Sequence, residues 1–416
     1  MPEGSTTVRE DAWTMGRRAV VALGTACVLA LAVAACGEDS AGGADEIKLG
    51  VLAPLSGPSS SAFAAYPDGV EARLAAYKED GGKCADKTFT LVEGDDQSTP
   101  QGAVTAAQKL VQRDRVYAVL EGSPAFYGAA PFMTTTGKKI PVFGAGFDGA
   151  KQWKDTTNNL LPASIVPEYE KTFTTHGEYF KSQGGTKIAG VSYDNPAGRG
   201  GMEYSLRSAV AAGLQRGYVN TTVPVGSTDV GAIVLGIIES RSDVVTLTLN
   251  PDTSFAVVAG LRQAGYQPKA ILTATGYGAD LLESAPAVQA GQGVSFSTGW
   301  APVELKTPGA LRLSKALKDH AGSESGIPSF AQSLGWLTAD LLLHGLDLAG
   351  CDATQEKLLS TVRNDKTWTA GGLFALPRDF TTTSADKLCL YFLKLTGKAF
   401  VPDQKASPLC GSVVRS

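Results

Sequence analysis

The stretch GAGFDG at residues 144–149 is the first candidate for chemistry, because G-x-G-x-x-G spacing lets a backbone approach a dinucleotide pyrophosphate. It follows the short apolar run IPVF, as such a loop would follow a strand. The chain has 48 glycines in 416 residues, however, so matches of this kind arise readily by chance. A dinucleotide site also needs a following helix and a downstream acid, which the spacing alone does not indicate.

Residue patterns typical of catalysis are absent from the sequence. The three histidines, His176, His320 and His344, form no H-x-x-x-H motif, and the chain contains neither a G-x-S-x-G motif nor a P-loop. All three lie in helix-like stretches, and we interpret them as surface or packing residues. The sequence therefore predicts a protein that is not an enzyme and has no cofactor and no metal site.

The first 35 residues have the features of an export signal. Arg17 and Arg18 precede a 17-residue apolar run that ends in small side chains, after which the chain turns polar at once. The run is at the short limit for a helix that spans a membrane. We therefore assign residues 1–35 to a signal peptide, with either Met1 or Met15 as its start.

Residues 33–36, Val-Ala-Ala-Cys, resemble a bacterial lipobox. In that motif the cysteine is diacylated on its thiol and becomes the new N-terminus, here after cleavage behind Ala35. Several acyl chains hold a protein stably on a membrane, where one chain is marginal. We expect lipidation at Cys36, a lipidated tether at 36–45, and a protein anchored to the outer face of a bacterial cytoplasmic membrane. An ordinary secretory signal with an incidental cysteine is the alternative.

Length and charge limit the remaining choices. Beyond the tether, about 370 residues are too many for one core of ordinary size, which indicates two lobes. The formal net charge is −4, and the sequence has no run of Lys or Arg. Because nucleic-acid partners require a basic face, we expect no nucleic-acid partner.

Four cysteines remain after the signal and the lipid site are set aside: Cys84, Cys351, Cys389 and Cys410. An even number in an exported chain indicates two disulfides, for which three pairings exist. The spacings lack the paired C-x-x-C form of a zinc site. Cys389 and Cys410 bracket a predicted terminal hairpin, which favours their pairing and leaves Cys84 with Cys351.

Strand-like and helix-like patterns alternate along most of the exported chain. The strand-like runs lie at 47–53, 88–94, 116–122 and 140–146, and then at 187–193, 218–224, 243–249 and 269–275. Helical patterns separate them, and Thr99-Pro100 supplies an N-cap followed by a first-turn proline. Repeated strand-helix-strand units of this length predict parallel sheets covered on both faces.

The C-terminal part departs from this alternation. It contains a strand-like run at 293–300, a long helical pattern at 329–350, a short one at 354–363 and a β-like ending at 388–402. The apolar stripe of the long helix is interpreted as a packing face, and it consists of Leu334, Leu337, Leu341 and Leu342.

Three segments carry a resemblance to a known family. IKLGVLAPLSGPSS at 47–60, LVEGDDQSTPQGAVTAAQKLVQRDRVYAVL at 91–120 and KKIPVFGAG at 138–146 resemble the extracytoplasmic solute-binding proteins of branched-chain amino acid ABC transporters. This is the type 1 periplasmic-binding-protein fold of leucine-binding-protein-like chains. The resemblance covers residues 45–400, with specific motifs in the N-terminal block and a matching order of elements beyond it.

The resemblance implies an α/β fold with two Rossmann-like lobes, whose parallel sheets are joined by a hinge of three crossovers. Lobe 1 would comprise 46–165 and 297–372, and lobe 2 would comprise 166–296 and 373–416. Ligand would lie between the lobes, because open α/β sheets bind ligands beyond the carboxyl ends of their strands.

The candidate ligand-binding residues follow from that placement. In lobe 1 they are Ser56, Phe63, Ser123, Pro124, Ala125, Ala145, Gly146, Phe147 and Asp148; in lobe 2 and near the crossovers they are Tyr193, Asp194, Asn250, Tyr277, Trp300 and Phe330. In the family, a serine-bearing loop at Ser123 offers its hydroxyl and backbone N–H to the ligand carboxylate. Capping of the next helix is the alternative role for Ser123.

Two departures from the family bear on the ligand. Family members have Ala-Thr after this strand, with a threonine hydroxyl that binds substrate, and here Phe147 or Asp148 stands near that position. The acidic residue that would pair with a ligand ammonium near Tyr277 is also missing, although Asp148 or Asp194 could substitute for it. The first departure argues against an ordinary aliphatic amino acid, and the aromatic strand ends suit an apolar or cyclic ligand body.

The resemblance implies a monomeric substrate-binding subunit that captures a small solute by lobe closure and delivers it to ABC permease and ATPase subunits. A lipoprotein of the same fold that senses its ligand and acts on a receptor or histidine kinase is the alternative. Neighbouring genes for permeases and ATPases would favour transport, and a lone neighbouring histidine kinase would favour sensing. In either case we expect GAGFDG to form one wall of the solute cleft.

Overall fold

The structure is a computed structural model that describes residues 45–168, 170–382 and 384–414. The predicted signal peptide, the lipidation site at Cys36 and nearly all of the tether lie outside the described residues. None of the helices in the described part of the chain combines the length and apolar composition needed to cross a membrane.

The first sheet has five parallel strands. They are β1 (Glu46–Ala53), β2 (Thr88–Asp95), β3 (Ala118–Glu121), β4 (Val142–Gly144) and β5 (Leu160–Pro162), in the spatial order β2-β1-β3-β4-β5. Four helices connect them: α1 (Ser60–Phe63), α2 (Tyr66–Glu79), α3 (Pro100–Gln108) and α4 (Ala130–Thr135). The predicted cap of α3 is confirmed, because the Thr99 side chain accepts a hydrogen bond from the Gly102 N–H at 2.9 Å.

The second sheet begins with five parallel strands. They are β6 (Lys187–Tyr193), β7 (Gln215–Val223), β8 (Val244–Thr248), β9 (Ala270–Thr273) and β10 (Ser295–Thr298). The helices of this lobe are α5 (Thr175–Ser182), α6 (Pro196–Ala211), α7 (Gly231–Glu239), α8 (Pro251–Gln263), α9 (Ala279–Glu283) and α10 (Ala285–Gly291). The predicted boundary at residue 297 falls inside β10, so the chain leaves the second sheet only after Thr298.

The chain then returns to the first lobe and finishes in the second. The returning helices are α11 (Pro308–His320), α12 (Phe330–Ala349) and α13 (Gln355–Asn364). The last strands are β11 (Lys387–Thr396), β12 (Ala399–Pro402) and β13 (Leu409–Ser412), which pair in antiparallel fashion at the edge beside β10. The chain passes three times between the two sheets, which confirms the predicted two-lobe α/β fold.

Within the described residues, five short helical segments lie between these strands and helices. They are a π-helical turn at Lys109–Arg113 and 3₁₀ turns at Phe126–Gly128, Lys151–Lys154, Val303–Leu305 and Ala370–Gly372.

Helix α12 forms the centre of the first lobe's core. Its predicted packing stripe is confirmed, because Leu334, Leu337, Leu341 and Leu342 are buried. The helix lies directly against α2: a Cβ at Gly69 would meet the Gln332 carbonyl oxygen at 2.0 Å. This close approach requires glycine and brings polar side chains of both helices into contact.

The polar contacts between α2 and α12 are buried. Arg73 Nε donates to Asp340 Oδ1 at 2.6 Å, and Trp368 Nε1 donates to Asp340 Oδ2 at 2.8 Å. Buried charges are stable only when they are paired and hydrogen-bonded, as this carboxylate is.

Both predicted disulfides are confirmed. Cys84 joins Cys351 across 267 residues in the first lobe, and Cys389 joins Cys410 between β11 and β13 in the second.

Candidate functional site

A cavity of about 290 Å³ opens between the lobes at the carboxyl ends of the strands. The first lobe contributes an aromatic wall in which Phe63 stacks on Phe147 at 5.8 Å between ring centroids. Phe330 packs edge-on against Phe63 at 5.8 Å, and Trp300 lies 5.9 Å from Phe330. The wall is therefore a continuous apolar surface that suits a ring or chain.

The second lobe contributes a more polar but uncharged wall. Tyr193 ends β6, and its hydroxyl lies 2.8 Å from Thr253 Oγ1. The same hydroxyl accepts a hydrogen bond from the Asn250 N–H at 3.2 Å. Asn250 follows β8 in the loop that starts α8, so the strand-end rule places both residues at the cavity.

The structure brings seven of the predicted residues to the cavity. They are Phe63, Pro124, Phe147, Tyr193, Asn250, Trp300 and Phe330. Two of them carry buried donors, Asn250 Nδ2 and Trp300 Nε1, for which the described residues supply no hydrogen-bond partner. Because buried polar groups are nearly always paired, these donors mark positions where a bound molecule would gain hydrogen bonds.

Ser123 does not line the cavity and has local partners. Its hydroxyl donates to the Asp96 carboxylate and accepts from the Ala125 N–H at 2.9 Å. The Ser123 N–H donates to Glu121 Oε1 at 2.5 Å. The structure thus favours the alternative role, in which Ser123 holds the start of the next helical turn, and Ala125 is buried with it.

Asp148 also faces the interior of the first lobe. Its carboxylate accepts hydrogen bonds from Trp153 Nε1 and from the Ala150 N–H, so it does not reach the cavity as a partner for an ammonium group. Ala145 and Gly146 lie behind Phe147 and are likewise absent from the cavity lining.

The glycines of GAGFDG serve packing. A Cβ at Gly144 would meet the Trp153 ring at 2.3 Å, and Gly146 has a φ of +71°. Asp148, the acid within the stretch, accepts a hydrogen bond from Trp153 Nε1 and does not line the cavity. Of this stretch, Phe147 alone lines the cavity, so the rest of the predicted wall lies outside the cavity lining.

Three further predicted residues have partners elsewhere. Tyr277 is buried and donates to Glu304 Oε2 at 2.7 Å. Asp194 forms an exposed ion pair with Arg199, and Ser56 Oγ donates to Asp95 Oδ2 at 2.5 Å. Asp and Ser at strand ends commonly serve such turns and caps, which explains their placement.

The cavity lining is nearly free of charge. Glu168 is the one acidic residue along it in the described chain, and no Lys or Arg lines it there. Glu168 is already paired with Lys171 at 2.7 Å and accepts from the Ala385 N–H at 2.7 Å. A zwitterionic ligand would therefore leave its ammonium group without an anionic partner, which is costly once water is excluded.

The acids near the cavity lie behind the aromatic wall and are buried. Burial raises the pKa of Asp96 to about 6 and that of Asp148 to about 7. Burial also raises the pKa of Glu121 well above its usual value, and the nearby Asp148 charge adds to this. Desolvation favours the protonated, neutral form of all three groups.

Sequence reasoning missed a set of second-lobe residues that line the cavity, among them His176, Gly201, Tyr204, Ser205 and Thr246. They lie on α5, α6 and β8, on one face of the sheet and not in its end loops. The signal was the small residues Gly198, Gly201 and Ser205, which share one face of α6 and leave space beside it.

One group of side chains has the composition of a metal site. Glu79, Asp319 and His320 place one ligand atom each within 4.8 Å of one another at the ends of α2 and α11. Both carboxylates are exposed, and Lys315 already pairs with Asp319. This group lies in the first lobe and contributes nothing to the cavity lining.

The chain belongs to a family defined by this architecture: residues 46–399 match the model of the periplasmic binding protein family. Membership places the protein outside the cytoplasm. A protein of Brucella abortus (strain 2308), called Leu/Ile/Val-binding protein homolog 7, is 26% identical over 346 residues, which cover 79% of this chain and 84% of the relative.

Solved structures show the same fold. A leucine-binding protein, LivK, of Thermotoga maritima superimposes with a TM-score of 0.70 at 16% identity, covering 88% of this chain and 99% of that one. An ABC-transporter solute-binding protein of R. palustris in complex with benzoate gives a TM-score of 0.68 at 17% identity, covering 89% and 98%.

Proposed function

We propose that this protein is the substrate-binding subunit of an ABC importer, and that it binds a small solute between its lobes without converting it. The observation that carries the proposal is the cavity at the strand ends, where Asn250 Nδ2 from one lobe and Trp300 Nε1 beside the crossover lack partners among the described residues. A solute that accepts hydrogen bonds from both would bridge the lobes.

Lobe closure is the proposed mechanism. A ligand shifts a conformational equilibrium only through contacts that differ between the two states. A solute packed on Phe63 and Phe147 and bonded to Asn250 makes contacts with both lobes only when the cleft is closed. The closed form would then dock on a permease, whose ATPases drive uptake.

The chemistry of the lining supports a particular range of solutes. The aromatic wall suits a flat or apolar body, and the two free donors suit a carboxylate or an amide. Among the described residues, the lining offers no unpaired acid for an ammonium group, since Glu168 is paired with Lys171. Among amino-acid-like solutes, amides and aromatic acids, the cavity thus favours an aromatic acid or amide, in line with a structural neighbour that holds benzoate.

We further propose a membrane anchor and protein partners for this subunit. The lipobox-like Cys36 would hold the protein on the outer face of the cytoplasmic membrane, after removal of residues 1–35. The partners would be ABC permease and ATPase subunits, and the protein would act as a monomer. Mass spectrometry of the N-terminal peptide would show diacylated Cys36, and its absence from the mature protein would contradict the anchor.

A thermal-shift screen tests the binding function. The full chain is purified in detergent and melted with leucine, glutamine, benzoate, benzamide and short peptides. Because a ligand that binds only the folded state stabilises it by about 2.7 kcal/mol at 100 times its dissociation constant, a true solute should raise Tm by several degrees. If no small solute raises Tm while a protein partner does, the protein is not a solute carrier.

A further inference from the structure

The cavity continues past the cleft into the second lobe. We call this inner part the recess; it is lined by Thr246 of β8, Leu272 of β9, Leu390 of β11 and, across from them, His176 of α5 and Gly201 of α6. Thr246 and Leu272 are almost fully buried. The recess is therefore an internal space between the second sheet and its covering helices, continuous with the interlobe cleft.

Small residues of α6 keep the recess open. A Cβ at Gly201 would approach Thr248 Cγ2 at 3.2 Å, so the helix already lies close to β8 at this turn. Further along the second sheet, the space between the strands and the covering helices is filled, because Tyr179 of α5 stacks on Phe392 of β11 with 4.0 Å between ring centroids. The space is thus local to the strand ends and not a general looseness of the lobe.

Two side chains at the recess have a buried polar atom without a partner among the described residues, His176 at Nε2 and Tyr204 at its hydroxyl, and His176 is the one that can offer a ring nitrogen to a ligand. Ser205 Oγ lies 3.2 Å from the Gly201 carbonyl oxygen and 2.6 Å from His176 Nδ1; when its one proton goes to the carbonyl, the ring N–H donates the contact at Nδ1. The remaining nitrogen, Nε2, then carries a lone pair and is buried without a partner among the described residues. Burial also lowers the pKa of His176 to about 4, which keeps the ring neutral.

We propose that the recess receives the far end of an elongated solute, and that a hydroxyl at that end donates a hydrogen bond to His176 Nε2. This inference rests on the proposed binding function and narrows its substrate class. The solute carries an acceptor group that meets Asn250 and Trp300 in the cleft, a flat apolar body, and a hydroxyl at the opposite end. A para-hydroxylated aromatic acid has this composition.

The surroundings of His176 favour a neutral hydroxyl over a charged group. Its ring is packed edge-on against Tyr204 at 5.3 Å and Phe392 at 6.0 Å between ring centroids. An ionised group placed there would lose its water without gaining an opposite charge, whereas a hydroxyl needs only the one acceptor that the ring provides.

The test uses matched pairs of solutes on the full chain. The probes are 4-hydroxybenzoate, 4-hydroxyphenylacetate and 3-(4-hydroxyphenyl)propanoate, each against the analogue with a methyl group in place of the hydroxyl. Because a methyl group has a similar volume but leaves Nε2 unpaired, we expect the hydroxyl form to bind about tenfold more tightly at the length that fits. Calorimetry measures both affinities.

Two variants assign the preference to the recess. His176→Leu should abolish the preference for hydroxyl over methyl, whereas His320→Leu, the same change on the first lobe, should keep it. Gly201→Leu should fill the recess and weaken the binding of both analogues at least tenfold. Ala211 is exposed on the same helix, so Ala211→Leu should leave the binding of both unchanged.

The outcomes separate the two proposals. Equal binding of hydroxyl and methyl forms at every length, or a preference that survives His176→Leu, would overturn the role of the recess. If the probes fail to bind but another small solute raises Tm, the recess inference is wrong and the binding function stands. If no small solute binds at all, the proposed function itself is wrong. The comparison of hydroxyl and methyl analogues uses the unaltered protein, so it remains valid even if a variant fails to fold.

Discussion

The two walls of the cavity are built on opposite principles. Behind the first-lobe wall lie three buried acids, Asp96, Glu121 and Asp148, whose hydrogen bonds go to neighbouring residues of the same lobe. Only Glu121 Oε2 among their carboxylate oxygens is buried without a partner in the described residues. The second-lobe wall offers neutral groups, and Asn250 and His176 there have atoms without partners among the described residues. Apart from Trp300 Nε1, the first lobe therefore uses its polar groups mainly for its own structure, whereas the second lobe leaves polar atoms available to a ligand.

This difference explains why the most polar strand-end residues are poor guides to the site. A carboxylate beside a strand end has many backbone N–H groups within reach, and satisfying them stabilises the loop. A ligand is bound by polar groups that have no hydrogen-bond partner within the protein itself. Changes to buried polar groups of the first lobe should therefore alter stability, and changes on the second-lobe wall should alter affinity.

The largest expected effect comes from the ion pair at the centre of the first lobe. Asp340→Asn places an amide N–H₂ against either Arg73 Nε or Trp368 Nε1, both of which donate to the native carboxylate. Breaking a buried ion pair costs about 3–5 kcal/mol of unfolding free energy. Urea unfolding measures this loss, and the affinity of the folded protein for its solute should not change.

Asp319→Asn on α11 is the matched control for Asp340→Asn. Asp319 forms an exposed pair with Lys315, and such pairs contribute about 0–1 kcal/mol. Equal losses from the two variants would contradict the distinction between buried framework charge and surface charge in this lobe.

The second prediction concerns pH. Burial raises the pKa of Asp148 from 3.8 to about 7, so between these values the native state binds a proton that the unfolded state lacks. The contribution of this group to stability is therefore complete below pH 4 and is lost as pH rises to 7. At about 1.36 kcal/mol per pKa unit, the stability of Asp148→Asn relative to the unaltered protein should rise by about 4 kcal/mol between pH 4 and pH 8.

Urea unfolding at several pH values checks this, with Asp155→Asn as the control. Hydrogen bonds from Thr157 lower the pKa of the exposed Asp155, so its contribution has the opposite sign and is lost as pH falls. If Asp148→Asn leaves the slope against pH unchanged, Asp148 is ionised in the native protein and the first-lobe wall carries charge.

The fold followed from the sequence because periodicity and topology rules act on long segments. The strand-helix alternation predicted both parallel sheets, and the hairpin around Cys389 and Cys410 predicted a disulfide that the structure contains. The predicted lobe boundary at residue 297 falls inside β10, which ends at Thr298. A strand of four residues carries no sequence signal that indicates which of the two sheets it joins.

The site was only partly predictable for a different reason. Strand-end position alone selected Tyr193 and Asn250, which line the cavity, and Asp194 and Tyr277, which do not. Whether a side chain turns to a ligand or to a neighbour depends on partners distant in sequence, such as Glu304 for Tyr277. His176 lay in a helical pattern, and nothing in the sequence indicated that one of its ring nitrogens, Nε2, would be buried without a partner among the described residues.

Among the buried polar groups of the first lobe, Ser123 should have the smallest effect on stability, and its substitution decides between the two roles that the sequence left open. Ser123→Ala removes a donor to Asp96 and the acceptor of the Ala125 N–H, which should cost about 1–3 kcal/mol of unfolding free energy. Asn250→Ala removes an amide nitrogen that has no partner among the described residues, so it should cost less stability but weaken solute binding about tenfold. Urea unfolding and calorimetry on both variants measure the two quantities. If Ser123→Ala instead keeps its stability and loses tenfold in affinity, Ser123 binds the solute, and the first-lobe wall takes part in recognition as the resemblance implied.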